Sequence, residues 1–369
     1  MSSDSRFSLL STLLPPIPSH IQKRRIRHHL QRTNKLLKAG IRPRIFIAVK
    51  NVNWEQAALV DSWKAIADVV HFEAHEQFDQ YQPQWHHSGK AAFNRLLLDT
   101  FMREHHRKPF DLFFSYLSGR WVTGDTIKKI SQSSAISCNY GFDDSQSFFG
   151  RREEGGWSGN AEICRSFDFC ITAQSPRDVV KYHMRGGRAL FLPSAGNATV
   201  FAAQEPSAPP RQQLISFVGQ KTPQRSRLVE QLRGRNIELT TAGKGWELGS
   251  VTTEQFIELT RTSLIALGVG YYGNSTRTRL KGRDFEIPLI GTAYLTSWNR
   301  ELSHYFKNGE EILMYRSTKQ LYSHICRLRD NPDLAERIGQ AGRQRALAQH
   351  CWHHRWQQIL ELCSEQDFA

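Results

Sequence analysis

The sequence predicts a parallel α/β protein built from two doubly wound domains, and three observations carry that expectation. From residue 44 onward, short apolar runs of strand type alternate with helix-compatible segments. A proline-bearing stretch without periodicity, residues 204–213 (QEPSAPPRQQ), interrupts the alternation. Beyond it the alternation restarts. A chain of 369 residues can bury two substantial cores.

Residues 1–43 stand apart as a basic N-terminal extension. From Lys23 to Arg44 nine Lys or Arg occur with no acidic residue. Ile26, Leu30 and Leu37 form a sparse helical stripe, so the segment reads as a basic amphipathic helix. Such a helix suits an anionic membrane surface or nucleic acid, or it is a solvated arm over the first domain.

The first domain spans 44–203. Its strand-like runs are 44–50 (RIFIAVK), 68–73 (DVVHFE), 111–117 (DLFFSYL), 134–140 (SAISCNY), 168–173 (DFCITA) and 188–193 (RALFLP). Helix-like segments between them cover 54–67, 88–105, 124–131, 159–165 and 175–185, the last opened by Ser175-Pro176 and Asp178. After the linker, the second domain spans 214–345. It offers strands at 215–219 (ISFVG), 237–243 (IELTTAG) and 263–267 (SLIAL), with helices at 223–233 and 252–261. The remainder, 346–369, holds a further helix at 352–362.

Composition narrows the function classes. Hydrophobic content of 39 % with nine Trp and 21 Phe argues against disorder. No apolar run approaches the roughly 20 residues that span a bilayer, and the mildly apolar start, with its basic run placed after it, does not read as a signal peptide. Cys138, Cys164, Cys170, Cys326, Cys351 and Cys363 show no C-x-x-C spacing, which suits reduced thiols in a cytoplasm. The net charge of +14 predicts attraction to something anionic: a nucleotide sugar, an anionic lipid surface or nucleic acid.

The chemistry concentrates in residues 268–297 (GVGYYGNSTRTRLKGRDFEIPLIGTAYLTS). A strand is followed by glycines at 268, 270 and 273 and then by a helix-compatible run, 276–286. That order collects backbone N–H groups and a positive helix end at one point. Onto it the sequence loads Arg277, Arg279, Lys281 and Arg283. On a helix, Arg279, Arg283 and Glu286 share a face, and Pro288 ends or kinks it near Ile287. Cations suit a diphosphate, and one carboxylate suits a pair of ribose hydroxyls. The competing reading is a solvated basic face.

Ligands of parallel sheets bind beyond the carboxyl ends of the strands, which selects further loops. Gly219 and Lys221 lead into Arg225 at a helix start, a second anion-binding arrangement or an ordinary first-turn Arg. Trp246 either stacks on a base or plugs the core. Asp143 and Asp144 follow SAISCNY, where a carboxylate either deprotonates an acceptor hydroxyl or caps a turn. The adjacent His pairs at 28–29, 86–87, 105–106 and 353–354 point apart on regular elements, and no i, i+4 His pair with a carboxylate occurs, so no metal site is expected. No G-x-S-x-G supports a Ser nucleophile.

Residues 281–321 (KGRDFEIPLIGTAYLTSWNRELSHYFKNGEEILMYRSTKQL) and 331–356 (NPDLAERIGQAGRQRALAQHCWHHRW) resemble the C-terminal domain of CgeB-like, spore-maturation type glycosyltransferases. The carrying features are R-x-F-E, G-x-E-I-x-x-Y, A-G-x-x-R and the trailing H-x-W-x-x-R. The resemblance implies a GT-B fold, two Rossmann-like domains facing a cleft, with the last helix returning to the first domain. It implies a nucleoside-diphosphate sugar donor, UDP-sugar first and GDP-sugar second, held by Gly219, Lys221, Arg225, Trp246, Arg279, Lys281, Arg283 and Glu286. It places Asp143 and Asp144 on the acceptor side, with no obligatory cofactor or metal. Many retaining GT-B enzymes carry E-x7-E. Here Glu286 matches the second glutamate and Thr278 stands at the first. The expected location is cytoplasmic, with peripheral docking at the inner membrane through the basic extension. The alternative reading is a basic nucleic-acid-binding protein, or a glycosyltransferase acting on a nucleic-acid acceptor.

Overall fold

The computed structural model describes residues 14–49, 54–74, 77–153, 156–203, 212–271 and 277–366. The chain forms two compact units: unit 1 comprises Met1–Pro193 and Trp352–Ala369, and unit 2 comprises Ser194–Cys351.

Unit 1 begins with α1 (Ser19–Arg32) and builds a sheet from β1 (Arg44–Val49), β2 (Asp68–Phe72), β3 (Leu112–Tyr116), β4 (Ile136–Gly141), β5 (Phe169–Thr172) and β6 (Ala189–Phe191). The order is β2-β1-β3-β4-β5-β6, and every pairing is parallel. A parallel sheet covered on both faces demands continuous apolar strands, which is why RIFIAV and LFFSY lack polar alternation. The helices α2 (Lys90–Arg107), α3 (Gly124–Ser131) and α4 (Asp178–Met184) lie between strands in sequence. Phe46 anchors the core, with Phe72, Phe101, Phe110 and Phe113 each within 6.1 Å, centroid to centroid.

The basic extension needs correction, because it is not an arm outside the domains. Ile26 and Leu30 of α1 are completely buried, which stabilises by roughly 2 kcal/mol each. Polar tethers finish the docking: the Gln22 side chain accepts from the Phe191 N–H at 2.8 Å, and Lys35 Nζ reaches Asp168 Oδ2 at 2.8 Å. His29 Nε2 lies 2.8 Å from Asp168 Oδ1. Burial would raise the Asp168 carboxyl, but its His29 and Lys35 partners outweigh that and hold it below its ordinary range. The cations Arg24, Arg25 and Arg32 occupy the exposed outer face. The charge run is conspicuous in sequence, whereas the three or four inward residues that dock it are not.

Two helix expectations also change. Within 54–67 the chain forms a π-helical turn, Gln56–Asp61, before a short α segment, Ser62–Lys64. Segment 159–165 shortens to Asn160–Ile163 and a 3₁₀ turn.

Unit 2 arranges β7 (Gln213–Val218), β8 (Thr240–Ala242), β9 (Ser263–Gly268), β10 (Ala293–Ser297) and β11 (Leu313–Tyr315) in the order β8-β7-β9-β10-β11, again all parallel. Its helices are α5 (Pro223–Arg233), α6 (Thr253–Arg261), α7 (Arg283–Ile290), α8 (Thr318–Arg329) and α9 (Pro332–Gln349). Their starts follow side-chain capping chemistry: Thr222 caps α5, Thr252 and Gln255 form a capping box on α6, and Asn331 caps α9 ahead of Pro332. The final helix, α10 (Trp352–Cys363), belongs to unit 1, where Trp356 stacks on Trp63 at 4.6 Å.

Both domain borders differ from the expected ones. The first falls after Pro193, because Arg343 donates to the Ala202 carbonyl at 2.9 Å and ties residues 194–203 to unit 2. Most of the expected linker, 204–211, lies outside the described residues. The second falls at Cys351, because α9 runs unbroken past residue 345.

Each sheet has a point where the chain reverses its direction of growth: between β1 and β3 in unit 1, and between β7 and β9 in unit 2. Parallel sheets bind ligands beyond the carboxyl ends of the strands at such points.

Candidate active site

In unit 2 two arginines cross the switch point in opposite directions. Arg225, in the first turn of α5 after β7, donates from Nη2 to the Val269 carbonyl beyond β9 at 3.2 Å. Arg283, first residue of α7 after β9, donates to the Val218 carbonyl at the end of β7. Arg225 also donates to Gln220 O at 2.8 Å and lies over the Phe217 ring, while Arg283 lies 4.6 Å from the Phe256 centroid. A guanidinium carries five donors, so both retain N–H groups beyond these contacts. Burial lowers the Arg225 pKa, and the charge of Arg283 lowers it further. Two half-buried cations that repel one another favour an anion between them.

Glycine makes the approach of these loops possible. Gly243 has φ +118, and a Cβ there would sit 2.4 Å from the Gly219 carbonyl oxygen. The Gly219 N–H donates to Ala242 O at 2.8 Å, which pins the β7 loop beside β8.

Glu286 lies one turn into α7, half-buried. Burial pushes its carboxyl up to about 7, Arg283 holds it back, and Asp284 pushes it further. Asp284 is a residue that sequence reasoning missed. It accepts from Tyr294 Oη at 2.7 Å and from the Lys281 N–H at 2.9 Å, so it fastens the start of α7 to β10. Its position two residues ahead of Glu286, in a helix first turn, was the available signal.

The expected helix over 276–286 is corrected. Residues 272–276, with Gly273, lie outside the described residues. Tyr271 then forms an antiparallel bridge with Thr278, the Arg279 N–H donates to Gly270 O at 3.2 Å, and α7 starts only at Arg283. Arg279, Arg283 and Glu286 therefore do not share a helical face. Lys281 Nζ donates to Tyr271 O at 2.9 Å, and Arg279 Nη1 to Thr278 O at 2.9 Å, so both brace this strap. Thr278, where the related pattern has a glutamate, donates to Trp298 O at 2.8 Å. Pro288 does not stop α7, which continues to Ile290 and ends at Gly291 with φ 91. Burial of Phe285, Ile287 and Leu289 holds the short helix despite the missing N–H.

Trp246 lies in the unit 2 core at 6 % exposure, edge-on to Phe217 at 5.9 Å, which withdraws it from base stacking. The exposed Lys221 places Nζ 5.0 Å from its ring centroid.

In unit 1 the paired aspartates diverge. Asp143 is exposed beyond β4, and Gln174 Nε2 lies 3.5 Å from its Oδ1. Asp144 is 2 % exposed, accepting from Asn160 Nδ2 at 2.8 Å and Tyr182 Oη at 2.7 Å. Burial, with the charge of Asp178 adding to it, pushes its carboxyl up to about 6. Asp144 is thus a structural acid, and only Asp143 of the pair meets solvent. The helix following β4 starts at Asp144, which turns consecutive side chains to opposite sides.

His353 and His354 contradict the expectation that adjacent histidines point apart. Their Nε2 atoms lie 3.1 Å apart, held by a ring-to-ring hydrogen bond at the start of α10. The six cysteines are free thiols. No helix among the described residues is long and apolar enough to cross a membrane.

Residues 222–361 match a family described as Glycosyl transferase-like. No curated protein matches the chain. Among solved structures, sucrose-phosphate synthase of Thermosynechococcus elongatus is similar at a TM-score of 0.54 and 14 % identity, covering 86 % of this chain and 98 % of that one. HepE of Anabaena, solved with UDP and glucose, is similar at a TM-score of 0.55 and 12 % identity, with coverages of 86 % and 98 %. An α-glucosyltransferase solved with UDP and a 13-mer DNA containing an HMU base gives 0.57 and 11 %, with coverages of 88 % and 100 %. Likeness at such identities is a likeness of fold, and the fold is GT-B. The family match covers residues 222–361, and the fold of the chain is the one these glycosyltransferases share.

Proposed function

We propose that the enzyme transfers a sugar from UDP to a hydroxyl acceptor, with unit 2 holding the nucleotide, and that it is a CgeB-like member of its class. The observation that carries this reading is the crossed pair Arg225 and Arg283 with Glu286 one turn away, all at the switch point of unit 2. UDP accompanies HepE and the α-glucosyltransferase, which favours a uridine over a guanosine donor. Arg225 and Arg283 stabilise the charge that develops on the leaving diphosphate, and such fixed electrostatic stabilisation is often the largest catalytic contribution. Lys221 adds an exposed cation nearby on the same loop. Glu286 accepts hydrogen bonds from the two ribose hydroxyls. In unit 1 Asp143 takes the proton of the acceptor hydroxyl as its oxygen attacks the anomeric carbon and the bond to UDP breaks. These cations do the work that a divalent metal does elsewhere, so transfer proceeds without one.

The exposed Arg24, Arg25 and Arg32 of α1 form a cationic face for peripheral docking on an anionic membrane surface in the cytoplasm. A nucleic-acid acceptor is the second reading, favoured by the +14 charge and by the DNA bound to the α-glucosyltransferase neighbour.

Titration calorimetry with UDP, UDP-glucose and GDP tests the donor. UDP should bind more tightly than GDP, and Glu286→Gln, which keeps size and removes charge, should weaken UDP about tenfold. Unchanged UDP affinity in folded Glu286→Gln removes Glu286 from the site, and absence of UDP binding in the wild type overturns the reading.

A further inference from the structure

The switch point of unit 1 is lined by rings. Trp54 follows β1, Tyr116 ends β3 and Phe142 follows β4, and all three are half-buried. Trp54 meets Phe142 edge-on at 4.8 Å and 82°, and Tyr116 meets Phe142 at 4.9 Å and 81°. Trp54 and Tyr116 are 5.9 Å apart. Tyr140 stacks behind Phe142 at 4.4 Å and 11°, fixing the plane of that ring. Trp352 also meets Phe142 edge-on at 6.1 Å, so the shelf is an edge-to-face cluster, and it stops short of the burial that Phe46 or Phe113 reaches a few residues below.

Polar groups edge the shelf. The Tyr116 hydroxyl makes no hydrogen bond among the described residues. Burial, followed by the charges of Asp143 and Glu55, pushes its ionisation upward, so it stays a donor. Asp143 is exposed beside it, and Glu55 directly follows Trp54. The exposed carboxylate of Asp143, with the buried Glu55 near Tyr116, opposes a phosphate or a nucleic-acid backbone. An apolar face ringed by donors and acceptors instead matches a ring that has one face of C–H groups and a rim of hydroxyls. Pyranosides have that form.

From this we infer that unit 1 takes its acceptor as an uncharged pyranoside, its C–H face against the exposed part of this ring cluster and one hydroxyl turned towards Asp143. The assignment rests on the reading of Asp143 as the acceptor-side base. It names the class of acceptor, and it sets the acid-rimmed shelf apart from the exposed cations of α1, which meet any anionic surface.

Saturation-transfer difference NMR on the full chain tests it without any donor present. The probes are the methyl α- and β-pyranosides of glucose, galactose and mannose, glucose 6-phosphate, and a short single-stranded oligonucleotide. At least one methyl pyranoside should receive saturation through its ring C–H protons, and glucose 6-phosphate should receive less than its uncharged counterpart. Trp54→Ala and Phe142→Leu should each weaken that binding about tenfold, a 1.4 kcal/mol step, and Trp54→Phe should restore most of it. Thermal melts confirm folding, and Phe142→Leu carries the test if Trp54→Ala does not fold. Absence of saturation on every methyl pyranoside overturns the inference. So does pyranoside binding that ignores both substitutions, or an oligonucleotide as the probe that Trp54→Ala releases. UDP calorimetry on the same protein is read separately, so a failed donor reading and a failed acceptor class give different patterns.

Discussion

The two units share a topology and differ in what they place at its switch point. Unit 2 brings Arg225 and Arg283 across β7 and β9, each donating to a carbonyl at or just past the end of the other strand. Unit 1 brings Trp54, Tyr116 and Phe142 to the ends of β1, β3 and β4, with Asp143 at their rim. The same backbone geometry therefore presents a cationic site in one unit and an aromatic, acid-rimmed one in the other. Fold fixes where a ligand sits in such sheets, and the residue after each strand decides which ligand it is.

The sharpest way to break this contrast is to neutralise Asp143, the exposed acid of the Asp143–Asp144 pair. Asp143→Asn should lower kcat by about 10²- to 10⁴-fold, the usual range for a general base, with an unchanged melting temperature. Asp144→Ala should do the opposite. It leaves Tyr182 and Asn160 without their buried acceptor, so stability should fall by roughly 1–3 kcal/mol in a denaturation curve. If Asp144→Ala melts like the wild type and Asp143→Asn retains full kcat, the division of labour between the two aspartates is wrong.

That division was not legible in the sequence, where Asp143 and Asp144 are equivalent neighbours. The burial of Asp144 is set by Asn160 and Tyr182, which are distant in the chain and reach it only through the fold. The strands were legible because parallel pairing demands unbroken apolar runs such as FCIT and SLIALG. Arg225 was legible as a cation at a helix start and Arg283 as one on the helix after the Gly-rich stretch, but their crossing was not, since the Tyr271–Thr278 bridge delays α7 to Arg283. Local propensity favours helix from 276, and the bridge between Tyr271 and Thr278 overrides it. The α1 helix was visible, whereas its integration was hidden, because a buried Gln22 and Lys35 look like solvent-facing residues until Phe191 and Asp168 meet them.

Acid titration gives an effect of intermediate size. Glu286, held up to about 7, is mostly protonated at pH 6 and mostly ionised at pH 8. Affinity for UDP-glucose, whose diphosphate does not titrate there, should rise about tenfold across that interval. Glu286→Gln should flatten the profile, and a wild-type affinity that does not change with pH would separate Glu286 from the ribose. The stability consequence runs the other way. Asp144 and Asp284, both up at about 6, and Glu286 bind protons in the folded state that the unfolded chain has already released. Their contribution is full below about pH 4 and is lost as pH rises towards 6 to 7. Melting temperatures of Asp284→Asn, compared with the wild type at pH 4 and pH 7, should show the variant gaining relative stability at the higher pH.

The smallest effect should come from metal removal. Cationic side chains at the unit 2 switch point make EDTA expected to change transfer by less than about twofold. Loss of activity restored by Mg²⁺ or Mn²⁺ would reassign Asp143 as a ligand.

The central claim, that the crossed arginines hold a nucleoside diphosphate, is tested most directly by an affinity ladder. Uridine, UMP and UDP are titrated calorimetrically into wild type and Arg283→Ala at fixed salt. In the wild type each phosphate should tighten binding, and UDP should exceed UMP by about tenfold or more, as charge-assisted hydrogen bonds warrant. In Arg283→Ala the step from UMP to UDP should collapse while uridine is little changed. An undiminished step in folded Arg283→Ala would contradict the claim and place the diphosphate elsewhere on the protein.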